Sequence, residues 1–157
     1  MSRGSRLAAV ALCAALSAAC AGPRARRAVK RPVPPLAKAV LRTARSYLPE
    51  EEKNRAAPKD CSDFVGKVFL ENGVKLPRTA LEMSKLGDPI ASSRDIQMGD
   101  LVFFSGEKIG RTVGHVGIYV GNGIFIHRSL SAEGVRMDSL YNDYFRKRYL
   151  KARRIIP

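Results

Sequence analysis

The chain has 157 residues and a formal net charge of +14, with 45% hydrophobic residues, 7% aromatics and no Trp. That length accommodates one modest domain with a tail and excludes two full domains. The apolar content excludes wholesale disorder, and so few aromatic rings argue against a ring-lined cage for sugars or bases.

Residues 1–20 read as an address. Arg3 and Arg6 form a positive start, and the apolar run Leu7 to Ala19 is too short to span a bilayer, which takes about 20 residues. An export signal fits this pattern. The run ends in Leu16-Ser17-Ala18-Ala19-Cys20, which resembles a lipobox and makes Cys20 the expected lipidation site; cleavage at the A-x-A-like Ala19-Cys20-Ala21 is the alternative. The protein is therefore expected to be exported. Lipidated, it would be anchored to the membrane on the periplasmic side of the envelope; otherwise it would be periplasmic or secreted. Residues 21–35 follow with Arg24, Arg26, Arg27, Lys30 and Arg31, no acid, and Pro23, Pro32, Pro34 and Pro35. Proline at this density favours an extended chain, so the stretch reads as a basic tether. Nucleic acid is the usual partner for such a charge balance. Behind an export signal, anionic lipid headgroups and acidic wall polymers are expected instead, and no nucleic acid. A solvated tail without a specific partner is the other reading.

The folded domain is expected over residues 36–157. Leu36, Val40, Leu41, Ala44 and Leu48 repeat with helical rhythm. A second helix is predicted from near Asp60 through Val65, Val68, Phe69 and Leu70 to the stop at Asn72-Gly73. A short third helix follows Pro77, where Thr79 and Glu82 have the spacing of a capping box. After Gly99 the period changes. Leu101 to Phe104, His115 to Val120, Ile124 to His127 and Gly134 to Met137 read as strands, the second and third joined by a Gly121-Asn122-Gly123 turn. Asp138 is expected to cap a short helix through Leu140, Tyr141 and Phe145, and Tyr149 to Ile155 to form a last strand. Helices followed by a meander of strands predict an α+β fold, helices packed on an antiparallel sheet.

Of the three cysteines, Cys13 and Cys20 fall in the signal, leaving Cys61 alone in the domain. A lone thiol there is a buried residue, an intermolecular link or a reactive group. Cys61 stands in the first turn of the second helix, where unpaired N–H groups favour a thiolate and a developing oxyanion. The chain has two histidines, His115 opening one strand and His127 closing its hairpin partner, so the two rings are expected at the same end of the hairpin. One imidazole would accept the thiol proton and the other would orient it. Two unrelated histidines are the plain alternative. A Cys-His-His zinc set is another, without the close ligand spacing such sites usually have.

Asp60-Cys61-Ser62, Leu76-Pro77-Arg78-Thr79, Gly99 to Phe104, Gly114 to Gly123 and Phe125-Ile126-His127, in this order, resemble the NlpC/P60 cell-wall peptidases, over about Leu36 to Ile155. The resemblance implies a papain-like α+β fold, with Cys61 as nucleophile, His115 as general base and His127 as its orienting residue. It implies a peptidoglycan stem peptide as substrate, cut at a γ-D-glutamyl-type bond, and no metal or cofactor. Ser62 and Arg78 are candidates for substrate binding, Arg78 toward a carboxylate; a solvated surface Arg is the alternative, and Asp60 is expected to cap the helix. The sequence departs from the family pattern in three places. It lacks the Tyr-x-x-Gly-Gly motif before the nucleophile, it has Asp63 where Gly follows Asp-Cys-Ser, and it has Met83 where Gln is common. Asp63 brings a negative charge close to Cys61. An amidase or acyltransferase using the same trio, or a wall-binding lipoprotein whose activity has lapsed, are the competing functions. No protein partner can be read from the sequence.

Overall fold

The computed structural model describes residues 32–49, 56–129, 131 and 134–157, all within the unit Pro32–Pro157. The segment expected to be an export signal (1–20), with Cys20, and most of the basic stretch expected to be a tether (21–31) lie outside the described residues, as does the polar stretch 50–55.

Helix α1 (Pro35–Arg45) opens on a proline at its first position, where the missing N–H costs nothing. It buries Ala37, Val40, Leu41 and Ala44; of the predicted stripe, Val40, Leu41 and Ala44 are buried, while Leu36 and Leu48 pack partly buried against the same core. Helix α2 (Cys61–Glu71) buries Phe64, Val65, Val68 and Phe69. The short α3 (Ala80–Met83) is held by the predicted capping box, Thr79 and Glu82 each satisfying the other's backbone N–H.

The sheet has six antiparallel strands, β1 (Asp88–Ile90), β2 (Leu101–Ser105), β3 (Val113–Gly121), β4 (Ile124–Ser129), β5 (Gly134–Ser139) and β6 (Tyr149–Arg154), in the order β1-β6-β2-β3-β4-β5. A 3-10 turn, Ser93–Asp95, joins β1 to the strand run. Every residue of β2 is buried, because both faces of the sheet are covered. Leu101, Phe103, Val116, Ile118, Val120 and Ile126 meet the helices in one core, while Val102, Phe104, Tyr119, Phe125 and Ala152 meet Phe145 on the other face. The helix–sheet architecture is the α+β fold expected.

Two details differ from the sequence expectation. Strand β1 was not predicted: it has three residues, contains Pro89 and sits at the sheet edge, the one place a sheet tolerates proline. The helix expected behind Asp138 begins later, as α4 (Asp143–Arg148), with Asn142 as its cap. Asp138 stays in β5, opposite Phe125.

Candidate active site

Asp60 is the cap of α2 as expected, with its carboxylate accepting the Asp63 N–H at 2.8 Å. The same carboxylate accepts the Ser62 hydroxyl at 2.8 Å and two Arg78 nitrogens, at 3.1 and 2.6 Å. Arg78 also donates to the Ser62 hydroxyl at 2.9 Å. Ser62 and Arg78 therefore tie the loop before α3 to the start of α2. The Arg78 guanidinium holds the Asp60 carboxyl well below the usual carboxylate range. Asp63, the departure beside the nucleophile position, accepts the Lys59 N–H at 2.8 Å and pairs with Lys67 at 3.0 Å. Its charge is thereby answered by a cation on the same helix.

This network sets Cys61 at the head of α2, half-buried and packed against the helix-side core. The β3–β4 ladder runs from Ile118–Ile126 to the turn, and upstream of it the Val116 N–H faces the Cys61 sulfur. The thiol thus abuts the residue that follows His115. Burial pushes the thiol up from its ordinary value, the Asp60 charge adds to this, and the N–H groups of Val116, Ser62 and Cys61 work against it. The lowered thiol expected from the helix start is reversed: removing a thiolate from water outweighs the N–H groups that would hold it.

The hairpin brings the histidines together. His115 Nε2 lies 2.8 Å from His127 Nδ1, with the rings nearly perpendicular at 86°. A register shift between Phe104 and Ser105, where β2 meets the start of β3, re-aims the backbone beside His115. Gly117 provides the room. A Cβ there would stand 2.6 Å from the Phe125 ring and 3.2 Å from the His127 Cβ. At the far end of the hairpin, Asn122 and Gly123 both have positive φ, 52° and 78°, as a tight turn between twisted strands requires. Burial pushes His115 down to about 3, with the neighbouring His127 adding to the effect. Burial also lowers His127, although Asp138 opposes it. Both rings are neutral at neutral pH. Among the described residues the thiol and the His115 ring are not hydrogen-bonded to each other. The facing imidazole nitrogens are bonded to one another, and among the described residues no group of three His, Cys, Asp or Glu side chains is placed to hold a metal ion.

The sequence reading missed Asp138. Its Oδ2 lies 2.9 Å from His127 Nε2, and Arg136 pairs with it at 2.9 Å. Extending β5 by one residue would have exposed this, because His127 faces Arg136 and Asp138 stands two places along on the same face. The sequence also gave no sign of a pocket of about 420 Å³ on the imidazole side, walled by Phe104, Tyr144, Phe145 and Arg148 and floored by both histidines. Among the described residues, Ser105 Oγ and Arg148 Nε at its wall are buried without a hydrogen-bond partner.

Comparison with known proteins follows the same residues. The NlpC/P60 family model matches residues 51–154. The Escherichia coli K12 protein named murein DD-endopeptidase MepS/murein LD-carboxypeptidase is 43% identical over 98 residues, 62% of this chain and 50% of that protein. The murein DD-endopeptidase MepH of the same organism is 41% identical over 100 residues, 62% of this chain and 36% of that protein. The chain thus spans about half the length, or less, of these curated relatives. The crystal structure of an NlpC/P60 family protein from Bacillus cereus superposes with a TM-score of 0.67 at 26% identity, over 80% of this chain and 42% of that one. A family match over most of the chain, joined to the shared fold, shows that this chain belongs to the NlpC/P60 family.

Proposed function

We propose that the protein is a cysteine peptidase that hydrolyses peptidoglycan stem peptides, with Cys61 as nucleophile, His115 as general base and His127 as the residue that orients His115. The observation that carries this reading is the thiol at the head of α2, set against the Val116 N–H, beside a histidine whose ring is fixed by a second histidine. A raised thiol and a lowered imidazole give a neutral pair at rest. The base therefore acts during attack. The thiol proton passes to His115 as the sulfur pair closes on the carbonyl carbon, and N–H groups at the start of α2 take the oxyanion charge. The protonated ring then gives that proton to the leaving amine as the C–N bond breaks, and water, deprotonated by the neutral His115, attacks the resulting thioester, releasing the acid and restoring the thiol. The catalytic hydrogen bond, about 2.6–3.2 Å, forms when substrate binds, as resting geometries of this kind are often loose.

Asp60, Ser62 and Arg78 hold the nucleophile's helix start. The Arg78 side chain, 58% exposed, keeps an outer face for a substrate carboxylate. The pocket walled by Tyr144, Phe145 and Arg148 lies on the imidazole side and receives the leaving portion of the peptide. The names of the relatives point to different bonds: DD-endopeptidase for MepS and MepH, DL-endopeptidase for CwlO of Bacillus licheniformis, and γ-D-glutamyl-L-lysine dipeptidyl-peptidase for a Bacillus subtilis protein. A γ-D-glutamyl-type bond is our reading for this chain. Digestion of defined tetrapeptide monomers and cross-linked dimers, with mass spectrometry of the products, tests it. Products ending in γ-D-glutamate are expected. Monomers released intact from dimers would instead assign the cross-link, and no cleavage of either would refute the peptidase reading.

A further inference from the structure

We propose that Asp138 is a positioning residue that fixes the tautomers of both histidines and leaves Nδ1 of His115 as the atom that takes the thiol proton. The proposal rests on the reading of Cys61 and His115 given above. A carboxylate has only acceptors. Asp138 presents Oδ2 to His127 Nε2 at 2.9 Å, so Nε2 carries the hydrogen and donates. Arg136 reaches both oxygens, at 2.9 Å through Nε and 3.2 Å through a terminal nitrogen, and holds the carboxylate against the ring.

The rest follows in sequence. A neutral imidazole has one N–H. With its hydrogen on Nε2, His127 has a bare Nδ1, which accepts from His115 Nε2 at 2.8 Å. His115 Nε2 is thereby the protonated nitrogen, and Nδ1 retains its lone pair. When the thiol proton arrives at Nδ1 the ring becomes a cation, and its Nε2–H bond to His127 strengthens, backed by the Asp138 charge. Asp138 itself takes no proton at any step. An amide or methyl at this position releases the constraint. With the hydrogen of His127 on Nδ1, His115 Nε2 must accept, its own hydrogen moves to Nδ1, and the base is lost.

The packing around the chain limits other partners. Phe125 lies tilted against His127 at 4.9 Å and Phe145 meets it edge-on at 5.3 Å between centroids, and Phe104 and Phe145 lie 6.0 and 6.4 Å from His115. These rings offer no acceptor. The charged groups that act on the pair are Asp138 and Arg136, from β5, while Glu107 and Arg148 line the pocket beside the two rings and, among the described residues, make no hydrogen bond to either.

The test has two arms. In the wild-type protein, ¹⁵N NMR of the imidazoles should find both rings protonated on Nε2 and His115 bare on Nδ1; a hydrogen on His115 Nδ1 would overturn the proposal without any substitution. In Asp138→Asn, kcat on a defined muropeptide should fall about 10²- to 10⁴-fold, the usual contribution of a general base, with KM within twofold, and the ¹⁵N pattern of both rings should change, while Asp138→Glu recovers part of the loss. An unchanged ¹⁵N pattern with unchanged kcat in Asp138→Asn would refute it. If His115→Ala abolishes turnover in the same assay, that refutation concerns Asp138 alone. If His115→Ala stays active, the base assignment itself has failed.

Discussion

Burial acts on both Cys61 and His115, raising the thiol and lowering the imidazole. In the mechanism proposed above, a raised thiol and a lowered imidazole would form no ion pair before substrate arrives, so attack and proton transfer would occur together. The two histidines also carry a cost that depends on pH. His115 titrates near 3 in the folded protein and near 6.5 when unfolded, so between those values the unfolded chain binds more protons. The stability contributed by the neutral buried ring is complete above about pH 6.5 and is lost as pH falls toward 3, at about 1.4 kcal/mol per pH unit. His127 acts in the same direction. Urea unfolding at pH 7 and pH 4.5 should therefore find wild type losing stability more steeply than His115→Gln; equal losses would contradict the buried, neutral ring. Ordinary carboxylates, about 3.9 for Asp and about 4.3 for Glu, titrate within the lower part of this window, so the comparison with His115→Gln is what isolates the ring. Cys61 and the two histidines could be singled out as candidates because the chain has so few: one thiol in the domain and two imidazoles in all. Asp138 was not legible, because Asp before a helical pattern is a strong cap signal, and only the register with β4 reveals its neighbour.

At the scale of elements, the hairpin β3–β4 is the device that builds the site, and it depends on what Gly117 lacks. An added methyl meets the Phe125 ring at 2.6 Å, the Ile126 carbonyl at 3.0 Å and the His127 Cβ at 3.2 Å. The carbonyl cannot yield without disturbing the strand, so the rings must move. Gly117→Ala should lose about 1–3 kcal/mol of stability through overpacking and lower kcat by displacing His127. Thermal melting together with turnover checks this, and a variant unchanged in both would show that the hairpin tolerates the shift. The periodicity of α1, α2 and the strands from β2 onward was readable, and so was the capping box of α3. Strand β1 and the Ser93–Asp95 turn were not, since three residues with a proline, and three polar residues in a turn, carry no period to read.

For the whole molecule, the placement of helices on one face and α4 on the other explains why β2 reads as an unbroken apolar run. The sheet separates the thiol, on the helix side, from the imidazoles, on the Phe104–Phe125–Phe145 side, and the end of the β3–β4 ladder is where the two sides meet. The pocket beside the histidines was illegible in the sequence because Phe104, Tyr144 and Arg148 come from distant segments with no shared spacing. Its walls reach the site only through the fold.

The central claim is that Cys61 performs the chemistry on a peptide bond of the wall. Its most direct test is the turnover of a defined muropeptide by wild type and by Cys61→Ala, both shown to be folded by their melting curves. A loss of at least about 1,000-fold in kcat is expected on removing the sulfur. Turnover within tenfold of wild type would contradict the account.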